Sequence, residues 1–365
     1  MNLKWNHSWN IAVLMLLFLL ITVTGCHSIG PRTVPRDRFE YSCSISESWK
    51  RQTLLNIVKL RYLDPPVFVD VGQIVAGYSM ETGINASGAF PETTGLGGDT
   101  ATVGGSVRFT DRPTVTYTPL TGNRFVKMLM TPLPPDAIFF TVQSGYAADA
   151  VFFAAVAVMN GLKNQDSTIA GVSPADADFV RALELLRKIQ LSGAVGMRVE
   201  QDLQKRQTSV ITFHSKNISE QTLTDIRELR SLLRLNPDAS ELKLVFGATS
   251  SNDKELAILP RSLLHIMNTM AAQVDVPAED IKEGRATPGL ADSAQVLEEQ
   301  RLVCIHSSKE KPGDAYVAVH YRNHWFWIDD RDLKTKRSFA FMMILFTLSD
   351  SGEQEHLPLI TIPAQ

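Results

Sequence analysis

A run of thirteen apolar residues, Ile11 to Val23, closes on Val23-Thr24-Gly25-Cys26, and it limits what this chain can fold into more than any other feature. A helix needs ~20 apolar residues to cross a bilayer. The run is too short for a permanent span and reads as the core of a signal peptide. It is preceded by a short polar segment, residues 1–10, with one positive charge at Lys4. The folded body is therefore expected to begin after it.

Small residues directly before a cysteine depart from an ordinary A-x-A cleavage site. The tetrapeptide resembles the lipobox of bacterial lipoproteins, which implies cleavage before Cys26 and acylation of that residue. Three acyl chains at ~0.8 kcal/mol per buried methylene exceed the two signals that stable anchoring requires. The alternative is an ordinary secretory signal with a chance cysteine. His27 stands where an aspartate would retain such a protein in the inner membrane. The expected location is the periplasmic face of the outer membrane.

Composition places the rest among globular proteins: 44% hydrophobic and 21% charged residues suit a chain that buries a large core. A net charge of −3 gives no electrostatic reason to expect nucleic acid as a partner. Once Cys26 is lipidated, Cys43 and Cys304 remain. In an oxidising periplasm they either form a disulfide or stay as two buried thiols. Neither has a CxxC partner, so no metal site is expected, and no motif calls for a cofactor.

Along the chain, residues 26–40 read as a Pro/Arg-rich tether, extended because proline disfavours helix. Ser44-Ile45-Ser46-Glu47 has the form of a capping box. It is expected to open a helix through about Leu60, striped by Trp49, Leu54, Ile57 and Val58 and ended by Leu63-Asp64-Pro65-Pro66. Residues 67–118 alternate with period two at Val103, Gly105, Val107 and Phe109 and again at Val115 and Tyr117. They read as strands, with a glycine-rich tip at 83–101. Gly95-Leu96-Gly97-Gly98 lacks the following Lys-Ser/Thr of a phosphate loop.

Helices are expected after Thr121 and from Pro135, and a core helix over 147–159, apolar nearly all round. Further helices follow over 176–191, around Leu223–Leu233 and after Pro260, with strands near 195–199, 209–213, 242–246 and 256–259 between them. A polar loop covers 276–298. The region 299–365 should hold a strand at 303–306, a hairpin around Arg322-Asn323-His324, a helix capped by Asp329-Asp330-Arg331-Asp332, and a closing strand at 357–362. The order of elements fits an α+β fold with mainly antiparallel strands: a body over 41–275, and 299–365 packed on it.

No catalytic motif emerges. His320 and His324 are four apart, but on a hairpin, and Gly-x-Ser-x-Gly is absent. The acidic run Asp329, Asp330, Arg331, Asp332 reads either as a helix N-cap with an internal ion pair or, with Trp325 and Trp327, as an interaction surface. Alternation buries Phe326 and exposes the two tryptophans, or the reverse.

Two groups of segments carry a family resemblance. The first is Pro35-Arg36-Asp37-Arg38-Phe39 with Trp49-Lys50 and Leu54-Leu55-Asn56-Ile57-Val58-Lys59-Leu60-Arg61-Tyr62. The second is Tyr117-Thr118-Pro119-Leu120-Thr121-Gly122 with Trp325-Phe326-Trp327-Ile328-Asp329-Asp330-Arg331-Asp332. Together they resemble a family of uncharacterised Gram-negative lipoproteins across essentially the whole mature chain. The resemblance implies a location and one shared architecture, and no activity.

Three functional expectations follow. The first is a lipid-anchored, non-enzymatic scaffold or assembly component of the cell envelope, with an envelope protein or further copies of itself as partner. The second is a periplasmic hydrolase or ligand-binding protein in which His306, His320 and Asp330 converge. The third is an oligomeric outer-membrane pore using 67–118 as a hairpin, against which Arg108, Asp111 and Arg112 count as interruptions of the apolar face.

Overall fold

The computed structural model describes residues 30–89, 100–168, 171–201, 207–213, 218–286 and 301–349. The signal segment 1–25, Cys26, the end of the polar loop and the closing strand expected at 357–362 lie outside the described residues. The fold is α+β, with strands that pair mostly antiparallel. The chain divides into two compact units, one of residues 1–47 with 69–118 and one of residues 48–68 with 119–365. The strand segment thus groups apart from the body in which it was expected.

Helix α1, Gly30–Arg61, belongs to the first unit up to Glu47 and to the second from Ser48. Where an extended tether was expected, the backbone from Gly30 onward is helical, and Ser44 and Glu47 lie inside the helix instead of capping it. Pro31 sits in the first turn, where N–H groups have no intrahelical acceptor. Pro35 removes one backbone bond. The helix tolerates it because Leu54, Ile57 and Val58 are fully buried, and extension from an anchored segment needs no new nucleus. The expected terminator holds: the helix stops at Arg61, and Leu63 takes a left-handed φ of 61° before Pro65-Pro66.

The first unit continues with β1 (Val69–Val75), β2 (Tyr78–Ala89), β3 (Thr100–Asp111) and β4 (Thr114–Pro119). β1 pairs with β4 and β2 with β3, each as a two-stranded sheet. Of the stretch 83–101 that was expected to be a glycine-rich loop or hairpin tip, residues 83–89 and 100–101 are strand and 90–99 lie outside the described residues.

In the second unit, helices α2 (Gly122–Met130), α3 (Pro135–Gln143) and α4 (Ala148–Ala155) lead into β5 (Val156–Met159), β6 (Leu162–Lys163), β7 (Asp166–Thr168) and β8 (Gly171–Ser173). The expected core helix over 147–159 is thus helical only to Ala155. Its second half is a strand, because Asn160 and Gly161 turn with φ of 44° and 86°. Asn-Gly favours such two-residue hairpin turns. Val156 and Val158 are β-branched and suit the strand before it.

Helix α5 (Ala177–Leu191), strands β9 (Val195–Gln201) and β10 (Gln207–Phe213), helix α6 (Glu220–Leu232), strands β11 (Glu241–Phe246) and β12 (Glu255–Pro260) and helix α7 (Leu263–Ala271) follow near their expected positions. Ser219 and Ser262 accept hydrogen bonds from the N–H groups of Thr222 and His265, so α6 and α7 start on side-chain caps. Asp176 precedes α5, but its carboxylate accepts from the Lys163 N–H instead. The main sheet runs β6-β5-β12-β11-β10-β9, antiparallel except between β11 and β12.

A short helix, α8 (Ala278–Lys282), stands in the expected polar loop. β13 is His306–Ser308, later than the strand expected at 303–306; Val303 and Ile305 are buried instead. β14 (Ala315–Tyr321), β15 (His324–Asp329) and α9 (Leu333–Ser349) complete the described chain. The hairpin turn falls on Arg322 and Asn323, both at positive φ. The core of this unit runs from Leu54 and Ile57 through Phe152, Phe179, Ile258 and Met267 to Phe326, Phe339 and Phe346.

Candidate functional site

The C-terminal sheet, ordered β13-β15-β14, carries most of the residues expected to form a surface. Phe326 and Ile328 of β15 face the core with Val317 and Val319 of β14. Trp325 and Trp327 lie on the opposite face. They are half-buried, because a histidine from each flanking strand covers them. The register sets His320 opposite Trp325 and His306 opposite Trp327, at ring-centroid distances of 5.3 and 4.9 Å. Lys311 Nζ lies 5.5 Å from the Trp325 ring.

The acidic run satisfies itself. Asp329 accepts from the Arg331 backbone N–H at 2.8 Å and from its guanidinium at 3.3 Å. That backbone bond, more than any other contact, holds the Asp329 carboxyl below its ordinary pKa. Asp330 accepts from Lys336 Nζ at 2.7 Å. Asp332 accepts from the Thr335 N–H at 2.9 Å and starts α9. The run is a helix cap with an internal ion pair, one of its two expected readings.

His306, His320 and Asp330 each hold a separate partner. His306 Nδ1 lies 3.3 Å from Asp275 Oδ2, His320 packs on Trp325, and Asp330 binds Lys336. Among the described residues no group of three His, Cys, Asp or Glu side chains is placed to hold a metal ion. Both cysteines are free: Cys43 is exposed on α1, and Cys304 is half-buried, its thiol pKa raised chiefly by burial. Cys26 lies outside the described residues.

Sequence reading missed a polar cluster inside the second unit. Arg261, 2% exposed, donates to the carbonyls of Phe153, Ala154 and Gln165. Burial pulls its pKa down to about 10, so it remains charged at neutral pH. His265, four residues after Arg261, has its Nε2 2.8 Å from Oδ1 of Asp166, the residue after Gln165. No periodicity or motif announces this cluster, since its acceptors are backbone carbonyls brought in by the end of α4 and by the residue before β7.

The feature least explained as structure is the β2–β3 ribbon. Twelve pairs run in register from Tyr78↔Asp111 to Ala89↔Thr100. Strand alternation divides them into two faces. One carries the pairs Tyr78↔Asp111, Met80↔Phe109, Thr82↔Val107, Ile84↔Gly105, Ala86↔Val103 and Gly88↔Ala101; the other carries Ser79↔Thr110, Glu81↔Arg108, Gly83↔Ser106, Asn85↔Gly104, Ser87↔Thr102 and Ala89↔Thr100. The described side chains of the first are apolar up to Asp111 at its end, and water reaches them: Met80 is 53%, Val107 73% and Phe109 51% exposed.

Of the three charges counted against this face, two fall elsewhere and one, Asp111, stands at its end. Arg108 is on the polar face opposite Glu81, and Arg112 lies beyond the strand, whereas Asp111 shares the face of Phe109 and Val107, in the last pair with Tyr78. At that end Tyr78 stacks on Phe109 with centroids 6.0 Å apart and donates to Asp37 of α1.

Among the described residues no helix is long and apolar enough to cross a membrane. No family model, curated protein or solved structure matches the chain.

Proposed function

We propose that this chain is a lipid-anchored cell-envelope protein, held through Cys26 at the periplasmic face of the outer membrane, and that its work is assembly, not catalysis. One observation carries the assembly reading: among the described residues the β2–β3 ribbon has no strand paired to either outer edge, and it has exposed apolar side chains on one face. An isolated two-stranded ribbon is marginal in water, and open edges pair with other chains unless they are blocked. Twelve unbroken pairs without a proline make an efficient template. The histidine and acidic residues of 306–332 are occupied by contacts that stabilise the fold, which leaves the hydrolase reading without a convergent set. The test is native mass analysis of the lipidated protein after gentle detergent extraction. An oligomer or a defined hetero-complex is expected. A strictly monomeric protein that captures nothing from envelope extracts overturns the proposal.

A further inference from the structure

The assembly reading leaves open what the ribbon pairs with. We propose that β2 and β3 form a membrane-spanning hairpin, and that copies of this chain join hairpin edge to hairpin edge in a closed transmembrane β-barrel. This rests on the proposed assembly function and names its partners: further copies of the chain at the edges, and lipid hydrocarbon on the apolar face.

Length is the first argument. Each strand has twelve residues. At ~3.4 Å per residue a strand of that size extends about 40 Å, and a tilt of about 40° reduces its height to roughly the 30 Å of a hydrocarbon core.

Polarity is the second. A transmembrane strand alternates apolar toward lipid and polar toward the lumen. The in-register pairing makes the two strands agree on which face is which. The described apolar side chains on one face are Met80, Val107 and Phe109, with Tyr78 and Asp111 at its end, whereas the other carries Ser79, Glu81 and Asn85 with Ser106, Arg108 and Thr110. A hairpin designed to pack on a soluble core needs one such face covered; here the described part of that face is exposed.

The ends form the third argument. The stacked Tyr78 and Phe109 stand at one end of the apolar face, where barrels place interfacial aromatic residues. The charged Asp111 is the terminal residue of β3 on this face, at the level where hydrocarbon gives way to headgroups, and Arg112 lies beyond it.

The partner on the edges follows from geometry. The two strands are equal in length and pair without a bulge. The free edge of β3 in one copy can therefore take the free edge of β2 in the next, and a ring of such contacts removes every edge. Each copy contributes two strands, which gives the even number usual for bacterial barrels.

The test uses the full lipidated protein with Cys43→Ser and Cys304→Ala, reconstituted in phosphatidylethanolamine/phosphatidylglycerol vesicles. Single substitutions Ser106→Cys, Val107→Cys, Arg108→Cys and Phe109→Cys are labelled with an environment-sensitive fluorophore, and native mass is recorded on the same samples. Quenching by nitroxide on the lipid acyl chains should be about threefold stronger at positions 107 and 109 than at 106 and 108. An intact oligomer with equal quenching at all four positions overturns the barrel and leaves the assembly reading standing. A single-copy mass overturns both. Release of a trapped small dye from the same vesicles gives a readout without labels. Val107→Arg should reduce it by about tenfold and Val107→Leu should leave it unchanged. Equal release from Val107→Arg and the parent protein also overturns the barrel.

Discussion

Two buried or half-buried side chains show how single residues hold the second unit. Arg261 bridges three carbonyls from segments that share no hydrogen-bond ladder with one another at that point. Removing the guanidinium takes this donor from the Ala154 and Gln165 carbonyls, leaves Phe153 with only its bond from the Asn164 amide, and opens a cavity. Arg261→Ala should cost about 3–5 kcal/mol in urea unfolding followed by tryptophan emission. A cost under 1 kcal/mol would mean that water fills the site. His306 gives a pH signature. Its hydrogen bond to Asp275 raises its pKa above the ordinary 6.5, against the lowering effect of burial. A raised folded pKa contributes stability fully below the unfolded value, and that contribution disappears as pH rises through the folded pKa. Because His306 packs on Trp327, its protonation should quench tryptophan emission with a midpoint above 6.5. Asp275→Asn should move the midpoint down. The identity of neither partner was legible, since Asp275 and the Arg261 carbonyls come from distant or unpatterned stretches.

At the scale of elements, legibility tracked how local the deciding physics was. Helix α5 was plain because Phe179, Leu183, Leu186 and Ile189 recur at helical spacing and Gly193 supplies a positive φ at its end. The turn at Arg322-Asn323 was plain because two strands flank it. The half-helix, half-strand 147–159 was missed although Asn160-Gly161 announced a hairpin, because an unbroken apolar run carries no period to choose between helix and strand. The start of α1 was missed because two prolines outweighed the helix that follows. Pro35 gives this a direct check. It lacks the N–H that would bond to the Pro31 carbonyl, so Pro35→Ala should restore a bond and stabilise this stretch by about 1–3 kcal/mol. Slower amide exchange over residues 36–39 would register it. Unchanged exchange there would mean that the helix does not run continuously through this position in solution.

The chain joins an α+β body to a two-stranded ribbon with an exposed apolar face and, among the described residues, no further strand on its edges, and the proposed assembly would cover both. Its fold class was legible because helical and strand periods alternate without the regular βαβ order of a parallel sheet. The partition into two units was not, because residues 30–47 and 69–118 are brought together across an intervening stretch. The consequence concerns the anchor. A ribbon that pairs with copies of itself benefits from confinement to one surface, since tethering turns encounters in three dimensions into encounters in a layer and raises effective concentration. Attachment through Cys26 would supply that confinement, with three acyl chains giving more than the two signals needed. Cys26→Ser should block acylation and leave a precursor held by its uncleaved apolar segment, Ile11 to Val23. Immunoblotting of fractionated cells should then show a heavier species in the inner membrane and loss of the oligomer from the outer membrane. If the Cys26→Ser protein is instead matured and released at normal size, the lipobox reading is wrong, and any assembly must proceed from the soluble periplasm.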